Sequence, residues 1–401
     1  IACQRIRGVG ARGGSAGTAR PRAQSHGGSG PNGAAAYAGR TRRVDSPSMS
    51  LLAALALAGS PFYAEVRHAD LARAVQEGSR AGPVAAARVD GDPTRLRPAP
   101  GAEVVLTTPV QSGEHGFRDL LASWNVDAPA GTGFVVELRV DADGDGSWSR
   151  WMHLGDWGEF APPVADRATS CAGGRVAVDE FRGERAFRAA QVRVRARARE
   201  SGLELRVRRL TLCFSDRDRT VAPLAPPLAR PWGRVLDVPT RSQKTERPEI
   251  AGRICSPTSV AMVLAYRGVE APTLAVAERA FDVAHDIYGN WPRNVQAAYS
   301  FGIPGYLARF GDWAHVEKLV AEGTPLVLSI AVKPGQLANA PYESTPGHLV
   351  VLVGFDADGH CVVNDPAVAD PTAARRTYRR DEMETVWMRR GGTAYVLEAR
   401  P

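Results

Sequence analysis

The sequence predicts two folded parts, an all-β sandwich-like domain followed by an α+β domain. Three observations carry that expectation. Between Ala102 and Phe214, "FVVELRV" and "QVRVRARAR" alternate apolar or small with polar residues at period two, the pattern of strands with one buried and one wet face. "TVAPLAPPLARPW", Thr220 to Trp232, holds four prolines in thirteen residues and reads as a stiff linker. Beyond it, helical periodicity comes first and strands later, which segregates helices from an antiparallel sheet.

The elements follow in order. Residues 1–48 are a Gly/Ala/Ser/Arg mixture that buries too little apolar surface to offset ordering entropy, and are expected to be a disordered low-complexity segment. They carry eight arginines against one acid, Asp45, which accounts for the whole net charge of +7; the other 353 residues balance 42 basic against 42 acidic side chains. The basic pI therefore does not argue for a nucleic-acid partner. "MSLLAALALAGSPFYA" behind Arg42 and Arg43 has the layout of a short secretory signal, residues 49–64, with cleavage expected after Ala64. No later run has the ~18 apolar residues needed to span a bilayer, so the expected product is secreted, extracellular or periplasmic. Residues 65–101 are expected to be irregular, 102–216 the β-sandwich-like accessory domain, 217–233 the linker, and 234–401 the α+β domain.

Within the accessory domain, Arg193, Arg195, Arg197 and Arg199 are expected on the solvent face of an outer strand, where charge discourages edge pairing. "DADGDG", Asp141 to Gly146, copies the first half of a calcium loop, but Met152 stands where the bidentate Glu belongs. It is read as a hairpin turn between Val140 and Trp148. Trp148, Trp151 and Trp157 are expected as core and rim aromatics. Cys171 and Cys213 are a possible disulfide pair, and no cysteine spacing suggests zinc. No metal and no cofactor is expected.

In the α+β domain, helical patterns run over Ser256–Tyr266, Leu274–Val283, Val295–Phe301 and Trp313–Ala321; "PLVLSIAV", "HLVVLVGF" and "HCVVN" are strands. In "RICSPTSVAMVLAYRG", Ser256 is the expected N-cap, Pro257 the first helical residue and Gly268 the stop. Cys255 then stands at the positive end of the helix dipole, where a thiolate is stabilised. A thiolate nucleophile needs a base with an orienting group. Of the four histidines of this domain, His285 and His315 have no acidic partner defined by local spacing. His360, with Cys361, falls at the turn end of a hairpin. His348 opens "HLVVLVGF"; the turn "DADG" follows and "HCVVND" returns, so facing residues have numbers summing to about 715. That register carries His348 close to Asn364, Asp365 and Pro366, and an Asp at the end of the return strand can hold the imidazole's tautomer. Gln243 in "VPTRSQ", upstream of the cysteine, is a side-chain amide available to an oxyanion. The loop "HDIYGNWPRN", His285 to Asn294, joins two helices and is a candidate wall of the cleft.

"VPTRSQ", "CSPTSVAMVLAYRG", "GHLVVLVGFDADG" and "VNDP", in this order and at these separations, resemble the C39-like cysteine peptidases, a papain-like branch that includes the leader-peptide-cleaving domains of bacteriocin exporters. The resemblance covers about Val238 to Leu397. It implies a papain-like fold with Cys255 as nucleophile, His348 as general base, Asp365 as orienting acid and Gln243 in the oxyanion hole. Ser256 stands where that family often has Gly. The implied activity is hydrolysis of peptide or amide bonds through an acyl-enzyme, on a peptide or cell-wall peptide substrate. The alternative from another class is a peptide- or glycan-binding cell-surface module without turnover.

Overall fold

The computed structural model describes residues 61–78, 94–164, 167–222 and 230–400. The low-complexity segment and the proposed signal up to residue 60 lie outside them.

The N-terminal half is built from twelve strands: β1 (Phe62–His68), β2 (Val75–Gly78), β3 (Thr94–Leu96), β4 (Glu103–Thr107), β5 (Phe117–Asp127), β6 (Thr132–Asp141), β7 (Met152–Trp157), β8 (Ser170–Cys171), β9 (Gly174–Ala177), β10 (Glu180–Phe187), β11 (Ala189–Ala198) and β12 (Leu205–Thr220). They form two sheets, β1-β12-β5-β10-β9-β8 with β3 also on β12, and β2-β4-β11-β6-β7. Phe117, Leu120, Trp124 and Phe214 from the first and Leu106, Val136 and Val194 from the second share one apolar cluster, because period-two alternation sends every second side chain inward. In β12 the alternation is imperfect where the pairing with β5 shifts register between Val207 and Arg209, as a bulge requires.

Four expectations about this half are corrected. Residues 65–101 are not simply irregular, since they hold most of β1 and all of β2 and β3. Ala64 lies inside β1, paired with Ser215, so a cut after it would remove the buried Tyr63 from its strand. The arginine stripe is on β11, an interior strand between β4 and β6. There Arg193 hydrogen-bonds Glu137 and Arg195 hydrogen-bonds Glu103, so cross-strand carboxylates answer the charges. Cys171 and Cys213 are both free. Asp141 and Trp148 do bridge across the "DADGDG" turn, and the Asp141 carboxylate accepts from the amides of Asp143, Gly144 and Gly146. Arg139 lies over both Trp148 and Trp151, and Arg293 over Trp157.

The C-terminal half contains five α-helices among the described residues, α1 (Cys255–Tyr266), α2 (Thr273–Ala280), α3 (Trp291–Ser300), α4 (Trp313–Ala321) and α5 (Arg380–Val386). Its six-stranded antiparallel sheet comprises β13 (Gly305–Arg309), β14 (Leu326–Val332), β15 (Thr345–Phe355), β16 (Cys361–Asn364), β17 (Arg375–Tyr378) and β18 (Thr393–Leu397), in the order β13-β18-β14-β15-β16-β17. The β15–β16 ribbon pairs Val351 with Asn364 and Leu352 with Val363, both summing to 715, before a bulge moves Gly354 opposite Val362. At that bulge the backbone of Arg234 passes so close that a Cβ on residue 354 would lie 2.2 Å from its carbonyl oxygen; only glycine fits. The end of the linker is docked here, with Trp232 bridged to Phe355 and its indole donating to Glu317.

The two halves meet along β13, the edge of the six-stranded sheet. Its outward amides are all received by side chains of the accessory domain: Gly305 by Asn125 at 3.2 Å, Leu307 by Ser123 at 3.0 Å and Arg309 by the Cys213 sulfur at 3.3 Å. Asn125 also donates to the Gly305 carbonyl. In return Gln296 of α3 bonds both the amide and the carbonyl of Val126 on β5. An unpaired sheet edge is thus closed by side-chain groups that imitate a strand, and Leu121 and Cys213 join the apolar cluster of the C-terminal half.

Candidate active site

Helix α1 begins two residues earlier than expected. Cys255 is its first residue, Ile254 occupies the cap position without a side-chain bond, and the Ser256 hydroxyl instead meets the Tyr395 hydroxyl at 2.9 Å. Ser256 is therefore not the N-cap. The helix is buried over Cys255–Leu264, too apolar all round to leave a wet face for a capping hydroxyl. Gly268, at φ +76°, ends the turn that follows it.

One turn along from Cys255, on the same face, the Ser259 hydroxyl donates to the carbonyl of Leu349 at 3.1 Å. Leu349 follows His348 in β15. The N-terminal end of α1 therefore runs against the strand that carries the imidazole. Cys255 and His348 are both fully buried, and Cys255 is disulfide-bonded.

His348 Nε2 lies 2.8 Å from Asp365 Oδ1. The same carboxylate takes the Ala367 amide on Oδ1 at 2.9 Å and the hydroxyls of Tyr342 and Tyr378 on Oδ2 at 3.0 and 2.8 Å. Four donors fill the acceptor capacity of an ionised carboxylate and leave nothing for a carboxylic proton to donate to. Burial by itself pushes the Asp365 carboxyl up, but the electrostatic interaction and hydrogen bond with His348, the Ala367 amide and Tyr378 outweigh it, so the net shift is downward. Both phenols are raised well above their ordinary value, first by burial and then by the Asp365 charge. With an acceptor-only partner on Nε2, the imidazole proton sits on Nε2. Nδ1 is left with its lone pair, buried and without a hydrogen-bond partner. Tyr342 also stands edge-on to the imidazole at 5.0 Å between centroids, fixing the ring plane.

Gln243 is buried in a short 3₁₀ turn, Gln243–Thr245. Its backbone amide donates to Pro366, next to Asp365, and its side-chain Nε2 to the Ala251 carbonyl at 2.9 Å. An amide nitrogen carries two protons, so one remains for another acceptor. Ser242 bonds Val368, so this turn is tied to the loop after β16 at two points.

The loop from His285 to Asn294 docks beside the start of α1. Arg253, two residues before Cys255, pairs with Asp286 at 2.9 Å and lies over Tyr288. Asn290 caps α3 by accepting from Arg293. His285 does have an acidic partner, contrary to expectation: its Nδ1 is 2.9 Å from Asp282 Oδ2, because the chain after α2 folds back and bridges Asp282 to Ile287. His315 is exposed on α4, and His360 lies at the ribbon's turn with its amide on Asp356.

The comparisons with known proteins agree with this organisation. Residues 235–395 match the model of the Peptidase C39 like family, and residues 65–215 that of the Peptidase C39 N-terminal domain. Among solved structures, the chain is similar to a double glycine motif protease from an AMS/PCAT transporter, determined with the leader peptide. The identity is 23%, over 43% of this chain and 99% of that one, with a TM-score of 0.30. It is also similar to the peptidase domain of Streptococcus ComA, a bifunctional ABC transporter, at 16% identity over 37% and 92% of the two chains, with a TM-score of 0.27. No curated protein matches. The C-terminal half of this chain thus matches a C39-like peptidase domain, and the half before it matches a Peptidase C39 N-terminal domain.

Proposed function

We propose that this chain is a secreted papain-like thiol hydrolase that cleaves peptide or amide bonds. The observation that carries the reading is the His348–Asp365 pair: a buried imidazole with its proton held on Nε2 and a bare lone pair on Nδ1, on the strand against which α1 packs. Nδ1 takes the proton from the Cys255 thiol, and the thiolate, favoured by the N-terminal end of α1, attacks the substrate carbonyl carbon. The remaining Gln243 N–H and the Cys255 amide receive the oxyanion. The imidazolium, steadied by Asp365, returns its proton to the leaving amine, and a thioester is left on Cys255. Water, deprotonated by the same Nδ1, then releases the acid and restores the thiol. The thiolate is the attacking form, so activity is read on reduced protein. Export remains part of the proposal, with any signal cut placed before β1 rather than after Ala64.

The test is intact mass spectrometry of the reduced full chain incubated with an activated peptide ester. An adduct on wild type that is missing in Cys255→Ala is the expected result. Reduced protein that forms no adduct, or hydrolysis unchanged in Cys255→Ala, overturns the reading. Peptide retained by the reduced chain without an adduct would support a non-cleaving peptide-binding module instead.

A further inference from the structure

A cavity of about 480 Å³ is lined from both sheets of the accessory domain, by the turn after β6 on one side and by β8 and β10 on the other. That volume falls within the roughly 300–1,000 Å³ usual for small-ligand sites. Val140 and Phe187, core residues no more than 2% exposed, give it an apolar lining. Trp148 adds the edge of a half-buried indole, held from one side by Arg139 at 4.7 Å. Cys171, a free and half-buried thiol, packs against the same core.

The charge of this lining has one sign. Arg150, in the segment before β7, and Arg185, on β10, both line the cavity, and among the described residues no Asp or Glu does. The two guanidinium groups act on one spot: burial raises the Cys171 thiol, and the charges of Arg150 and Arg185 both pull it back. Arg150 Nε donates to the Ser170 carbonyl at 3.0 Å, which ties it to the β8 hairpin; with five N–H donors, a guanidinium is not exhausted by that bond. Arg185 is exposed and lies over the Phe187 ring at 5.8 Å. The acids of the neighbouring turn face elsewhere. Asp141 accepts the amides of Asp143, Gly144 and Gly146, Asp145 accepts that of Ser147, and Asp143 is exposed outside the lining. Two cations beside a hydrocarbon surface favour an anion that carries an apolar body: the charge is met by charge-assisted hydrogen bonds, and the body displaces water from the apolar lining.

We propose that this cavity is a binding site for a carboxylate on an apolar body, the form in which a peptide presents its C-terminal residue. Arg150 and Arg185 hold the carboxylate, and the side chain lies on Val140, Phe187 and Trp148. The site belongs to the accessory domain and stands independently of the reading of Cys255.

The test is fluorescence anisotropy on the full chain as Cys255→Ala, so that no probe is cleaved. The probes are hexapeptides labelled at the amino end: one ending in phenylalanine as the free acid, the same peptide as the carboxamide, and a free acid ending in glycine. The phenylalanine acid is expected to bind at least about tenfold more tightly than its carboxamide, and more tightly than the glycine acid. Arg185→Gln should bring acid and carboxamide to equal affinity, and Ala172→Trp, at an exposed lining position, should fill the cavity and weaken both. Binding of none of the probes, equal binding of acid and carboxamide, no loss on going to glycine, or a preference that survives both variants overturns the proposal. The hydrolase reading fails separately, through absence of the acyl adduct on Cys255, which Arg185→Gln should leave unchanged.

Discussion

Asp365 and Asp179 are both withdrawn from solvent, yet their environments drive their charge in opposite directions. Asp365 has four donors on its two oxygens and is held below the usual carboxylate range. Asp179 has one, and burial, with Glu180 and Asp282 beside it, outweighs a positive charge and the Trp291 amide, so it is pushed up. Burial is common to the two, so the number and sign of the groups around each oxygen decide the outcome. The same accounting applies at the domain boundary, where the outward amides of β13 each find an acceptor across the seam.

The largest effect is expected from breaking the better-satisfied aspartate. Asp365→Ala leaves the imidazole without its orienting acceptor and two buried phenols without theirs. It should lower kcat/KM on an activated peptide ester by roughly 10³-fold, read in steady-state kinetics on reduced protein. Next comes the seam: Asn125→Ala strands the amide and carbonyl of Gly305 and should cost about 2–3 kcal/mol of unfolding free energy in denaturant titration. Tyr378→Phe removes one of the four donors to Asp365 and should cost about 1 kcal/mol in the same titration.

The smallest effect sharpens the contrast itself. A carboxyl whose folded pKa is lowered contributes stability above its unfolded pKa of about 3.9, and that contribution is lost as pH falls through the folded value. A carboxyl whose folded pKa is raised contributes stability below its unfolded pKa, lost as pH rises through the folded value. Melting temperatures taken from pH 4 to 8 should therefore show Asp179→Asn gaining on wild type as pH rises. Between pH 5 and 2, Asp365→Asn should lose less than wild type does as pH falls. Parallel curves for wild type and Asp179→Asn would remove the claim that this carboxyl is strained by its site.

The His348–Asp365 pair was legible because a hairpin is local. A short turn sets the register, and the sum of 715 held where it mattered, next to the residues that carry the side chains. Helices α1 to α4 were legible from periodicity for the same reason. Strands β1 to β3 and β13, β17 and β18 were not, since short segments take their strand form from partners distant in sequence: β1 pairs with β12, and β13 with β18. The arginine stripe was read as an outer strand because alternation reports which face is wet and says nothing about how many neighbours a strand has. His285 acquired its carboxylate through a fold-back that spacing alone does not disclose.

The linear chain by itself determined where the cysteine stands relative to a helix, which histidine shares a ribbon with an acid, and where sheet gives way to helix. These follow from dihedral preference, side-chain period and turn length, all interactions between near neighbours. Only the tertiary structure decided that the first half seals the edge of the second, and that Asp179, in the turn between β9 and β10, accepts the Trp291 amide at the start of α3. It also decided that one buried carboxylate is surrounded by donors and the other is not. Those outcomes depend on contacts between segments far apart in sequence, and desolvation is a property of the finished packing rather than of any stretch of residues.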